Sequence, residues 1–197
     1  MFRPVVAQNG ILKKFFSMHF PEKCWIVRHV FVAKAAWSIS SEAQIMTKEL
    51  LDKNQLDGDP DGGQIDAFRH AIWMAMLSQK IGVKKALKLG IAHEKGNRKD
   101  FDNSILEDGT VPDSISCAMD MLNNKAGVAI GISHNDSSRE ELKMLVQESI
   151  LNGHLWVIKK NKNSQFLDWK DEVIPKESYI KKWNNPKCLV VSNYAKK

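Results

Sequence analysis

The most regular hydrophobic pattern in the chain lies at residues 65–77, where apolar side chains surround nearly the whole circumference of a predicted helix. A helix that is apolar on almost every side is a buried helix. Asp66, Arg69 and His70 lie on it, with Asp66 one turn before His70. Buried ionisable groups are costly unless they are paired or used in chemistry. The pattern therefore makes these three residues the first functional candidates, with simple pairing of Asp66 and His70 inside the core as the alternative.

The rest of the pattern predicts further helices with recognisable ends. Ser41 and Ser138 each begin a capping box, Asp113 is an N-cap, and Gly96 and Gly131 are typical of helix ends. The predicted helices cover 24–37, 41–53, 65–81, 83–94, 114–130 and 139–152, with a loop at 95–112 and a hairpin made from 155–158 and 166–167. We expect a mainly α fold, a compact bundle of about five or six helices with a short C-terminal β-hairpin.

Length and composition suit one globular domain with a real core, since the 197 residues are 43% hydrophobic and 26% charged. We divide this single domain, 1–197, into an irregular segment at 1–20, a helical core at 22–160 and a basic tail containing Lys and Trp at 161–197. The net charge of +6 arises after residue 153, where ten Lys face four acidic residues. Such a tail attracts an anionic substrate or surface, or is simply a solvated end.

Cysteine usage and hydropathy restrict the class of protein further. The three Cys are far apart and form no C-x-x-C pair, so neither a disulfide framework nor a thiolate zinc site is indicated. No segment reaches the roughly 20 apolar residues of a membrane span, and the N-terminal segment lacks the apolar run of a signal peptide. We expect a protein made in soluble form, with export by a specialised system left open.

An acidic loop, 57–63, precedes the central helix. Asp57, Asp59 and Asp61 alternate ahead of Gly62, as carboxylates do in calcium-binding loops. The position that should supply the closing bidentate Glu is Phe68, so a standard EF-hand is not expected. The three Asp residues are weaker metal candidates, and the alternative is a turn-rich linker.

Polar residues occur near apolar stripes on three predicted helices, which suggests helices packed around one shared polar site. For catalysis we single out acid, base and charge-stabilising groups, and for zinc or calcium the side chains able to ligate an ion. The catalytic candidates are Arg69, His70, His93, Glu94 and Asp120, and the metal candidates are His70, His93 and Asp120. The substrate-binding candidates are Asp66, Trp73, Asn123 and Asn124.

Three motifs give the chain a family resemblance. They are the stretch 66–73 (DAFRHAIW), Ala92-His93-Glu94, and the stretch 119–127 (MDMLNNKAG). In order and spacing they resemble a bacterial domain family without an established function that occurs in secreted and polymorphic-toxin-like proteins, over roughly residues 55–160. The family usually has Asn where this chain has Asp66, and His where it has Leu122. If Leu122 replaces a working His, the resemblance implies a loss of activity.

The favoured hypothesis is a toxin-like hydrolase acting on a phosphorylated substrate, either a phospholipid or a nucleic acid. His70 or His93 would be the general base, Glu94 and Asp120 would orient an imidazole or hold a metal, and Arg69 would neutralise developing charge. A toxin-like role implies a delivery partner and an immunity partner. Nucleic acid is the less favoured substrate, because the tail matches no nucleic-acid-binding motif.

Two alternatives remain at this point. Glu94, half sheltered at a predicted helix end, could be the general acid of a cell-wall glycosidase, with Asp102, Asp120 or another loop acid as the second carboxylate about 5 to 9 Å away. The other alternative is a binding or structural module in which these polar groups only fix helix packing. Access discriminates between them, because enzyme chemistry requires an open pocket over these side chains.

Overall fold

The computed structural model describes residues 18–104 and 111–195. The described residues form six α-helices: α1 Phe20–Arg28, α2 Val30–Asp52, α3 Gln64–Ile81, α4 Val83–Asn103, α5 Ser114–Ser133 and α6 Arg139–Leu151. Strands β1 Trp156–Ile158 and β2 Leu189–Val191 form a small antiparallel sheet, with a 3-10 turn at Lys176–Ser178 between them. The mainly α prediction is confirmed. Most of the predicted irregular N-terminal segment, 1–17, and residues 105–110 of the predicted loop lie outside the described residues.

Helix α3 is the centre of the bundle and packs against α2, α4, α5, α6 and β1. Its apolar side chains are almost all buried, which confirms the interpretation of its hydrophobic pattern. It ends at Gly82, whose φ of 84° is a conformation that glycine adopts without steric cost. None of the described helices is long and apolar enough to cross a membrane.

The first two predicted helices have a different boundary. The helix is interrupted at His29, between α1 and α2, and not near residues 38–40 as predicted. Ser41 therefore lies inside α2 and is not an N-cap, and the Ser40 hydroxyl donates a hydrogen bond back to the Ala36 carbonyl. Because the segment between Trp37 and Ser41 contains no Gly or Pro, nothing in the backbone interrupts the helix there.

Two glycines interpreted as helix ends lie inside longer helices. Helix α4 continues past Gly96 to Asn103, and α5 continues past Gly131 to Ser133. A Cβ at Gly96 would lie 2.6 Å from the His19 ring, and one at Gly131 would lie 2.4 Å from the Ala75 carbonyl oxygen. These glycines permit close packing, so the predicted loop at 95–112 is helical through residue 103. The caps Asp113 and Ser138 are confirmed.

The predicted hairpin has a different partner strand. β1 pairs with β2, some thirty residues later, and the region 166–167 makes only isolated bridges, including Lys160 with Phe166. Asn123 fixes β1 to α5, since its amide donates to the Trp156 carbonyl and accepts from the Trp156 N–H, both at 2.9 Å. The last strand of the basic tail thus completes a sheet on the helical core.

Candidate functional site

A buried polar cluster joins α3 to α5. Asp66 and His70 are one turn apart on α3, and Asp120 comes from α5; each is at most 5% exposed. His70 Nε2 lies 3.2 Å from Asp120 Oδ1 and 3.6 Å from Asp66 Oδ1. The two helices can approach closely because Gly127 has no side chain. A Cβ at this position would lie 2.2 Å from the Ala71 carbonyl oxygen. Three of the sequence-predicted residues therefore converge, on helices whose spacing is fixed by packing.

Asp66 is held by two donors. Arg69 Nη2 lies 2.6 Å from Asp66 Oδ1, and the Gly62 N–H donates to Asp66 Oδ2 at 2.8 Å. Burial raises the pKa of Asp66, while the Arg69 charge and these hydrogen bonds oppose that rise. Through Gly62 the acidic loop reaches the cluster directly.

His70 lies in an environment that disfavours its charged form. Burial, then the positive charge of Arg69 and the charge that His93 carries when it is protonated, lower the pKa of His70 well below its usual value. A neutral imidazole can accept a proton or ligate a metal ion. The environment therefore keeps His70 in the neutral form that metal ligation requires, while the lowered pKa makes its ring a weak proton acceptor.

A cleft of about 360 Å³ opens above this cluster. Helices α1 and α2 form one side of it, and α3 and α4 form the other. Arg69, His70, Trp73 and His93 line it, so four of the sequence-predicted residues share one opening. Its walls are mainly apolar, and they include Trp25, Ile26, Ala36, Trp37 and Leu89. A polar floor between apolar walls is the usual build of a small-molecule site.

Two histidine–carboxylate pairs line the same cleft. His93 Nδ1 lies 3.3 Å from Glu22 Oε1, and His19 Nε2 lies 2.9 Å from Asp100 Oδ2. Burial raises the pKa of Glu22, but the hydrogen bond from His93 and the charges of His93 and His19 outweigh it, so the net shift is downward. His93 thus pairs with Glu22 and stands apart from the buried cluster, its ring centroid 6.3 Å from that of His70.

Sequence reasoning missed Glu22, His19 and Asp100 as site residues. Pro21 followed by Glu22 is a helix-start signal, which could have placed Glu22 in the first turn of α1. Nothing in the sequence indicates that this turn packs against α4, some seventy residues later. The pairing of His19 with Asp100 is a product of tertiary packing alone.

Trp73 occupies one wall of the cleft. Its indole N–H donates to the Ser40 hydroxyl at 2.9 Å, and its ring centroid lies 5.7 Å from that of His93 in an edge-on arrangement. The hydrogen bond fixes the indole plane, so Trp73 offers a rigid apolar surface beside the imidazole.

Other predicted site residues lie outside the cleft lining. Glu94 is 8% exposed and accepts a hydrogen bond from the Asn97 amide, which does not favour its role as a glycosidase acid. The side-chain amide of Asn123 is hydrogen-bonded to the Trp156 backbone, so substrate binding is not its observed role. Asn124 is buried with its amide against Gly90. Leu122 is partly exposed and is not among the described residues that line the cleft.

The acidic loop is organised by a lysine. Lys160 Nζ lies 2.9 Å from Asp59 Oδ2 and also donates to the Asp61 carbonyl. Asp57 Oδ1 accepts from the N–H groups of Asp59 and Gln64, which closes the turn into α3. Lys160 is 4% exposed and supplies positive charge where a calcium loop would rely on its ion.

Comparison with known proteins gives one match. No curated protein and no solved structure shows significant similarity to the chain. A family model described as "Domain of unknown function (DUF6973)" matches residues 23–154, which include the cluster, the cleft-lining Arg69, Trp73 and His93, and Glu94. Since this match covers well over half of the sequence, the chain belongs to the DUF6973 family.

Proposed function

We propose that the cleft is the active site of a hydrolase that acts on a phosphorylated, anionic substrate. The observation that carries this proposal is the convergence of Arg69 and His93 on one opening directly above His70. A module that used these groups only for packing would have no need of an opening above them, whereas an enzyme requires access.

Arg69 is suited to bind the phosphate group. Its side chain is 23% exposed, and the contact with Asp66 fixes the guanidinium at the floor of the cleft. A guanidinium offers several N–H donors in a planar fork that matches phosphate oxygens. Its charge would stabilise the negative charge that develops in the transition state.

His93 is suited to act as general base, because Glu22 orients its ring and the side chain faces the cleft. In the proposed step a water oxygen bonds to phosphorus while His93 takes one proton from that water. The bond between phosphorus and the leaving oxygen breaks, and that oxygen then receives the proton. Water is the only co-reactant, and His93 returns to its neutral form.

The apolar walls favour a phospholipid over a nucleic acid. Trp25, Trp37 and Leu89 offer surface that an acyl chain can cover, while the polar floor can receive a phosphate. The described basic residues of the C-terminal tail are not part of the cleft lining. A substrate with one anionic head and one apolar part therefore matches both surfaces of the cleft.

A substrate panel tests the proposal. Short-chain phosphatidylglycerol, a dinucleotide and bis(p-nitrophenyl) phosphate would be incubated with wild type, Arg69→Ala and the control Arg139→Ala, which alters an arginine outside the cleft. We expect wild type and Arg139→Ala to hydrolyse the lipid, and Arg69→Ala to lose roughly 10²-fold or more in kcat/KM. Equal inertness of all three proteins, or equal activity, would contradict the proposal.

The toxin-like part of the proposal rests on the motif resemblance and extends to delivery by a specialised export system and neutralisation by an immunity protein. Induced expression of the wild-type chain inside a bacterial host should then slow growth, whereas His93→Gln should not. Identical growth of the two cultures at matched protein levels would contradict the toxin-like role and leave the hydrolase proposal to its own assay.

A further inference from the structure

The buried cluster has the composition of a metal site. It offers one imidazole nitrogen and two carboxylate oxygens, and these ligand atoms all lie within 4.8 Å of one another. Zinc and related divalent transition metals accept this mixture of nitrogen and oxygen donors, whereas calcium prefers oxygen ligands alone. The donor set thus favours a transition metal.

The distances from His70 to the two carboxylates fit one ion. Metal–ligand bonds of about 2.0–2.2 Å place tetrahedral ligand atoms roughly 3.4 Å apart. The distances from His70 Nε2 to Asp120 and Asp66 are 3.2 and 3.6 Å, on either side of that value. His70 Nε2 is fully buried between the two carboxylates, without hydrogen-bond geometry to any residue in 18–104 or 111–195.

The surroundings of the cluster support the same assignment. Metal-ligating carboxylates are usually held by outer hydrogen bonds, and Arg69 and Gly62 hold Asp66 in this way. The two helices that carry the donors are locked by the close approach at Gly127, so little reorganisation is needed on binding. His70 also lines the cleft, so the cluster adjoins the opening.

We infer that Asp66, His70 and Asp120 bind one divalent transition metal ion, for which Zn²⁺ is the appropriate probe. The site can bind the ion whether or not the protein is a hydrolase. A catalytic role for the ion rests on the proposed function, since the ion would lie beneath the same cleft. A bound zinc ion lowers the pKa of its water ligand to about 7 and so supplies hydroxide at neutral pH. His93 and Glu22 lie outside the ligand set and keep their roles at the cleft wall.

The test measures zinc binding directly. The 197-residue protein is treated with chelator, dialysed, and titrated with Zn²⁺ while bound ion per chain and melting temperature are recorded. Wild type should bind one ion and melt about 5 to 10 °C higher at a hundredfold excess over Kd. The site variants are Asp120→Asn and His70→Gln, and the controls are Asp136→Asn, at an exposed carboxylate, and His93→Gln.

We expect both site variants to lose the ion and the shift, and both controls to keep them. If one site variant fails to fold, the other decides the question. Absence of stoichiometric zinc in wild type, or undiminished binding by the folded site variants, would overturn the inference. Zinc binding without hydrolysis of any panel substrate would contradict the proposed function and leave the site standing. Hydrolysis that continues at full rate after the zinc is removed would contradict a catalytic role for the ion and leave both the binding site and the proposed function standing.

Discussion

The floor and the wall of the cleft are built by different means. The floor is the buried cluster beneath the cleft, Asp66, His70 and Asp120, of which only His70 lines the cleft. Its residues lie on two helices that pack closely at Gly127. The wall contains the pairs His93–Glu22 and His19–Asp100, in which both histidines are partly exposed and Asp100 is buried. The pairs link α4 to Glu22 in the first turn of α1 and to His19, the residue before that helix. The floor is rigid because core packing fixes it, whereas the wall depends on polar contacts that solvent can weaken. Substitutions in the two regions should therefore differ in both size and pH dependence.

The largest effect is expected where the floor helices meet. Gly127→Val places side-chain atoms where the Ala71 backbone lies, so α5 must move away from α3. We expect a loss of about 3 kcal/mol or more in the free energy of unfolding, measured by chemical denaturation. The control Ala129→Val, at an exposed position of the same helix, should cost less than about 1 kcal/mol. Equal costs would show that the helix approach is not what fixes the floor.

A smaller effect is expected from the contact between floor and cleft. Arg69→Ala leaves the Asp66 carboxylate buried without its cation, and we expect a cost of about 2 kcal/mol, less than for a fully buried pair because Arg69 is partly exposed. Asp66→Asn combined with Arg69→Ala should cost clearly less than the sum of the two single changes, in a double-mutant cycle of unfolding free energies. Strict additivity would mean that the two side chains do not stabilise each other.

The smallest effect is expected at the wall. The lowered pKa of Glu22 means that the folded state favours the carboxylate, so its contribution to stability is complete above pH 4.5 and is lost as the pH falls through the lowered pKa. Glu22→Gln should therefore reduce the free energy of unfolding by roughly 1 kcal/mol at pH 7. In acid the two proteins should become equally stable. A deficit that is constant from pH 7 to pH 3 would contradict this account of the wall.

The same division explains what the sequence could predict. The i, i+4 spacing of Asp66 and His70 on an apolar helix is a local pattern, so one face of the floor was predictable from the chain alone. Asp120 was predictable as a polar residue near an apolar stripe, although its distance from His70 was not. The contacts of Glu22 and His19 with α4 join residues about seventy to eighty positions apart, and no local pattern encodes them.

Some helix boundaries were also decided by tertiary packing and not by local signals. Gly96 and Gly131 gave the same local signal as a helix end, but in the folded chain they accommodate neighbouring elements. The pairing of β1 with β2 was missed because short strands far apart in sequence carry no mutual signal, while residues 166–167 were simply nearer. Local signals were reliable where capping residues or hydrophobic periodicity decided the structure, as at Asp113 and in α3.

The most direct test of the central claim is the hydrolysis of short-chain phosphatidylglycerol by His93→Gln beside His134→Gln. The first variant removes the proposed general base from the wall, and the second alters an exposed histidine outside the cleft lining. We expect kcat/KM to fall by about 10² to 10⁴ for His93→Gln and to stay at the wild-type value for His134→Gln. Equal rates for the two variants, with both folded, would contradict the claim that this cleft is a hydrolase active site.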